Sequence, residues 1–151
     1  MTPTNTQSWY AELIKPTWAP DPSLFGKVWS VLYVMIIIAF IYTCIKTFGN
    51  PFASMMGNGA SGASPVNLWP KYIFYIFTFN IVANVLFSPI QFILRNLPLA
   101  TFDIFLILAS CFALVYYIFP YSKVISLLLV PYTIWVCIAT VLQGTITYLN
   151  R

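Results

Sequence analysis

Histidine is absent from these 151 residues, and only three residues are acidic, against seven lysines and arginines. Without histidine the chain lacks the commonest haem ligand and the commonest general base. Charged residues make up 7% of the chain, where a soluble domain carries about 25%, too few to cover its own surface in water. With a mean hydropathy of +0.85, this excludes soluble enzymes and nucleic-acid binders and implies an integral membrane protein. The net charge of +4 comes from scattered Lys and Arg that read as interfacial anchors, not as a phosphate-binding stripe. Cys44, Cys111 and Cys137 each stand inside an apolar run without CxxC spacing, which argues against a disulfide framework and against a zinc site. HExxH, G-x-S-x-G, P-loop and paired-carboxylate patterns are all missing, so neither a metal nor a catalytic residue is expected.

What the chain does have is 60% hydrophobic residues, gathered into four long runs. Residues 27–48, 71–94, 98–119 and 123–149 are each long enough to cross about 30 Å of hydrocarbon. Residues 1–25, with Pro3, Pro16, Pro20 and Pro22, suit neither a signal peptide nor a span and read as an interfacial segment. Residues 50–70 are rich in Gly, Ser and Asn and read as a flexible solvent loop. The connections at 95–97 and 120–122 are so short that the last three spans are antiparallel neighbours. The expectation is an all-α fold, one membrane domain over 1–151 built as a four-helix bundle, with Pro131 kinking the last helix. Both termini then lie on the side of Lys15, Lys27, Arg95 and Arg151, opposite Lys46, Lys71 and Lys123. Four against three leaves the positive-inside rule almost no contrast.

Polar side chains inside spans are costly and mark either helix packing or function. Asn80, Asn84, Phe87 and Gln91 follow an i, i+4, i+7, i+11 spacing and form one stripe. That stripe suits interhelical hydrogen bonding, and it equally suits an apolar pocket with a few orienting carboxamides. Tyr132, Trp135, Ala139 and Gln143 share a face of the last span, and Trp29 and Tyr33 stand at i and i+4 on the first. Small Ala139 leaves room either for a ligand or for close helix approach. Asp103, the one acid well inside a span, reads as a helix-start residue favoured by the macrodipole. A match to the proposed cholesterol-contact pattern at Leu142, Tyr148 and Arg151 is of the kind expected by chance.

Three ordered stretches resemble the translocator protein family, also called tryptophan-rich sensory proteins or peripheral benzodiazepine receptors. The first is Trp9-Tyr10-x4-Lys15-Pro16-x-Trp18-x-Pro20 followed by Phe25-Gly26-x2-Trp29-x3-Tyr33. The second is Asn84-x2-Phe87-Ser88, then Asn96-Leu97-x-Leu99-Ala100-x2-Asp103. The third is Leu129-Val130-Pro131-Tyr132-x2-Trp135-x3-Ala139, ending in Leu149-Asn150. The sequence departs from the family pattern at Asn80, Phe87, Asp21 and Gln143, where Gln, Trp, Pro and Asn are more usual. The helix that normally precedes the Trp-Tyr motif, making five, is not in this sequence.

The resemblance implies a pocket beneath the Trp-Tyr loop that takes porphyrins, sterol-like lipids such as cholesterol, or benzodiazepine- and isoquinoline-type drugs. Carried over position by position, its residues are Tyr10, Pro20, Trp29, Asn84, Phe87, Ser88, Trp135 and Ala139. It also implies a homodimer, membrane lipids as partners and no required cofactor. The membrane is the cell membrane in a bacterium and the outer mitochondrial membrane in a eukaryote. Trp29 and Trp135 occupy the positions linked to light-dependent porphyrin degradation in some members. Lys15, Lys27 and Arg95 stand where they can meet a ligand's carboxylates at the rim. A membrane receptor or sensor is the leading function, with photo-oxidative porphyrin degradation and ligand transport as alternatives. Transport is disfavoured by the lack of an inverted repeat or of paired broken helices.

Overall fold

The structure, a computed structural model, describes residues 5–48 and 69–151. The described residues form five α-helices: α1 (Asn5–Glu12), α2 (Pro22–Phe48), α3 (Lys71–Ser88), α4 (Leu97–Ile118) and α5 (Lys123–Leu149). Helix α3 runs on through a π-helical turn, Pro89–Ile93. Four of these segments are long and apolar enough to cross a membrane. The chain is an all-helical, multi-pass integral membrane protein. The loop expected over 50–70 lies, up to residue 68, outside the described residues.

Two features of the proline-rich segment differ from the sequence expectation. It contains the short helix α1, and α2 starts at Pro22, several residues earlier than position 27. The cause of the early start is local. Asp21 Oδ1 accepts a hydrogen bond from Ser23 N at 2.7 Å and Asp21 O accepts from Leu24 N at 2.9 Å. Asp21 is thus the N-cap, with Pro22 at the first helical position, where a missing N–H costs nothing. The hydrogen bonds from Ser23 hold the Asp21 carboxyl below the ordinary carboxylate range.

Pro89 opens the π-helical turn. Its missing N–H costs nothing at the first position of that turn, and its carbonyl accepts the i→i+5 bond from Leu94 N at 3.0 Å. Helix and turn then end on Arg95, whose φ of 51° is left-handed, with Asn96 N closing back on Ile90 O at 3.3 Å. Asn96 at once caps α4, its side chain accepting from Leu99 N at 3.0 Å. Two caps on adjacent residues make the α3–α4 hairpin tight. At the opposite end Ser122 caps α5 through Ile125 N at 3.4 Å.

Asp103 is not a helix-start residue. It stands six residues past Leu97, beyond the first turn where the macrodipole acts, and Asn96 already holds the cap. Its side chain is buried, and Oδ2 has no hydrogen-bond partner among the described residues.

The main core runs along the bundle axis and joins Leu32 and Ile36 of α2, Ile73 and Phe77 of α3, Ile107 and Leu114 of α4, and Leu129 and Val136 of α5. Outward faces carry large apolar side chains such as Val34, Ile37 and Ile41 of α2 and Phe105 and Phe112 of α4. Acyl chains are the natural cover for such a surface. Pro131 lies within α5 on its exposed side, and the helix continues through it.

Candidate ligand cavity

A smaller apolar cluster decides where the N-terminal segment sits. Leu97, Leu142 and Ile146 are buried at one end of the bundle, and Trp9, Tyr10, Leu13, Ala19 and Phe25 pack on them. Tyr10 meets Phe92 edge to face at 5.6 Å, and the Arg95 guanidinium lies over Trp9 at 5.5 Å. Asn150 pins the segment that follows α1, accepting from Ile14 N at 3.0 Å and donating to Ile14 O at 2.9 Å. Helix α1 is thereby tethered across that end of the bundle as a roof.

Beneath it is a cavity of about 560 Å³. Tyr10 comes from the roof, and Phe25, Trp29 and Tyr33 come from α2. Helix α3 and its π-helical turn give Asn84, Phe87, Ser88, Gln91 and Phe92. Ile104 and Ile107 come from α4, and Val136, Ala139, Leu142, Gln143 and Ile146 from α5. Size and lining are those of a small-molecule site: hydrophobic and aromatic walls with a few placed polar groups. Burial pushes the Tyr10 phenol above its ordinary pKa, so at neutral pH it is an uncharged hydroxyl.

Six of the eight residues singled out from the sequence line this cavity: Tyr10, Trp29, Asn84, Phe87, Ser88 and Ala139. Pro20 and Trp135 do not. The Trp135 ring turns toward Phe25, edge to face at 5.7 Å, and its buried Nε1 has no hydrogen-bond partner among the described residues. The Trp29 and Tyr33 rings meet at 5.3 Å, tilted by 31°, and both residues line the cavity. Of the cations expected at the rim, Lys15 lies over Tyr10 at 4.7 Å and Arg95 over Trp9, so both rest on the roof helix.

Both readings of the carboxamide stripe apply, to different residues. Asn80 is an interhelical bond-former: Nδ2 donates to Ser110 Oγ at 2.8 Å, and Oδ1 accepts from the Tyr132 hydroxyl at 3.1 Å. Asn84 belongs to both, since Nδ2 donates to Tyr132 Oη at 2.7 Å while the residue lines the cavity. Gln91 faces the cavity, where its Oε1 accepts from Gln143 Nε2 at 2.9 Å across the α3–α5 gap. Sequence reasoning missed the contributions of Ile104, Ile107, Phe25 and Phe92. An apolar side chain on a membrane helix carries no signal that separates cavity wall from core.

Fold and cavity together define a polytopic membrane protein with a largely apolar small-molecule site under an N-terminal roof. The sequence profile of the TspO/MBR family matches residues 1–149, and the chain belongs to that family. It is 32% identical over 146 residues to the tryptophan-rich protein TspO of Bacillus cereus, covering 95% of this chain and 82% of that one. It is 30% identical over 144 residues to the uncharacterized membrane protein YtaB of Bacillus subtilis, covering 95% and 81%. With protein CrtK of Rhodobacter capsulatus it shares 28% identity over 143 residues, covering 95% and 79%.

Proposed function

We propose that this protein is a membrane receptor for flat, apolar ring ligands, with porphyrins the first class to test and sterol-like lipids or isoquinoline-type drugs the next. The observation that carries the reading is the cavity itself: about 560 Å³, walled by aromatic and aliphatic side chains and lying beneath a tethered roof. No histidine is available to ligate a metal, so a metal-free porphyrin is the appropriate probe. The family's implied homodimer belongs to the same reading, as do lipid contacts on the outward faces. Titrating protoporphyrin into the protein in nanodiscs, followed by tryptophan quenching, tests it. Saturable one-site quenching in the low-micromolar range is expected, and its absence would leave only a membrane scaffold.

A second reading, light-dependent loss of bound porphyrin, is favoured by one observation. An electron-rich indole, Trp29, stands on the cavity wall. Such chemistry needs an indole beside the ring and no general base, in keeping with a chain that has no histidine.

A further inference from the structure

Gln91 and Gln143 are both buried, at 1% and 5% exposure, and both line the cavity. The hydrogen bond between them uses one donor of Gln143 and one acceptor of Gln91. Gln143 Nε2 also lies 3.5 Å from Thr147 Oγ1, and Thr147 Oγ1 is 2.7 Å from Thr101 Oγ1, so the α5 partner is held from α4 as well. A carboxamide has two N–H donors and a carbonyl with two lone pairs. Among the described residues, the Gln91 amino group and the Gln143 carbonyl make no hydrogen bond. One donor and one acceptor, on adjacent groups, therefore remain within an otherwise apolar cavity. Exchanging the two amide orientations leaves the same pair.

Resting on the receptor reading above, we infer that the Gln91–Gln143 pair is a specificity element selecting ring ligands that carry a lactam edge. A lactam fixes its N–H and C=O on the same side, so its carbonyl accepts from Gln91 while its N–H donates to Gln143. Three amides then close one ring of three hydrogen bonds, with no charge entering the site. A carboxylic acid offers the same edge only when protonated, and its ionised form is costly to desolvate here. A ketone or ether satisfies the donor alone and leaves the Gln143 carbonyl without a partner, which is how buried polar groups reject an analogue.

The test compares phenanthridin-6(5H)-one, a tricyclic lactam, with its N-methyl derivative, which keeps the ring and carbonyl but lacks the N–H. The full chain in nanodiscs is used, with protoporphyrin as a reference ligand. The parent is expected to bind the lactam at least about tenfold more tightly than the N-methyl compound. In Gln143→Met, which removes the acceptor for the lactam N–H, the two compounds are expected to bind nearly alike, whereas Gln91→Met, which removes the donor to the carbonyl that both carry, is expected to weaken both; helicity recorded for each variant checks folding. No preference in the parent, a preference retained in Gln143→Met, or undiminished binding of both compounds to Gln91→Met overturns the inference. If protoporphyrin binds and neither lactam does, this inference alone fails. If none of the three binds, the receptor reading fails and takes this one with it. Should either variant not fold, the parent's preference and the other variant decide.

Discussion

Asn84 donates to the Tyr132 hydroxyl at 2.7 Å, and the same hydroxyl donates to Asn80 at 3.1 Å. One phenol on α5 thus ties together two carboxamides on α3, one of which faces the cavity. Replacing Tyr132 with Phe removes both bonds and keeps the ring. Stranding a buried polar group in a soluble protein costs about 1–3 kcal/mol. Asn84 Nδ2, however, still has Asn80 O at 2.8 Å, and membrane hydrogen bonds average about 0.6 kcal/mol with a ceiling near 1.7. The expected loss is therefore about 1 kcal/mol, read as an earlier midpoint in detergent titration of helicity. A loss above about 3 kcal/mol would mean that the network does more than join two helices.

The roof yields a prediction about Asn150, whose carboxamide holds both backbone groups of Ile14. Asn150→Ala removes both bonds while leaving the cavity walls untouched. The expected result is faster ligand release and faster deuterium exchange confined to residues 5–20. Unchanged exchange there would show that the packing of Trp9, Tyr10 and Leu13 suffices to hold the roof.

The bundle was legible in the sequence because bilayer thickness and the cost of charge leave so few alternatives. Among the described residues, the third span ends just before Pro120, and the second and fourth begin at Lys71 and Lys123. Most of the candidate residues were legible too, because Asn84 and Gln91 are conspicuous in hydrocarbon and Trp9-Tyr10 forms part of a motif. What stayed hidden depends on side-chain direction. Trp135 shares a helical face with Ala139 and Gln143, yet its ring swings to Phe25. Pro89 lies inside the expected span 71–94 without marking a change there, whereas the helix widens from it into a π-turn and Gln91 lines the cavity. Asp103 looked like a helix start because Pro98 was counted as the terminus, while Asn96 is the cap.

The two tryptophans separate binding from chemistry. Trp29 is on the cavity wall and Trp135 lies off it. If bound porphyrin is lost under light, Trp29→Phe should slow that loss severalfold, and Trp135→Phe should change it little. Illuminated absorbance time courses of both variants beside the parent provide the check. Equal rates in all three would reduce both indoles to packing and end the photo-oxidative reading.

The start of α2 should respond to acid. Hydrogen bonds from Ser23 lower the Asp21 pKa, so the folded value lies below the unfolded one of about 3.9. The cap's contribution is then complete above that unfolded value and is lost as pH falls through the lowered folded one. The Ser23 amide resonance should shift below about pH 4 and stay still above it. In Asp21→Asn, which keeps the cap without the charge, the shift should disappear. A Ser23 amide that ignores pH in the parent would remove Asp21 as the cap.

Ala139 offers the most direct test of the cavity as the binding site. It is a small buried residue on the wall, one helical turn from Gln143. Ala139→Phe fills the space that a ring ligand needs, and over-packing one position costs about 1–3 kcal/mol, within reach of a folded bundle. The decisive measurement is a protoporphyrin titration of parent and Ala139→Phe in nanodiscs, with helicity recorded for both. The account predicts one saturable site in the parent and, at unchanged helicity, at least about a tenfold loss in the variant. Equal affinity in the two proteins would contradict it, because the ligand would then be bound somewhere other than beneath α1.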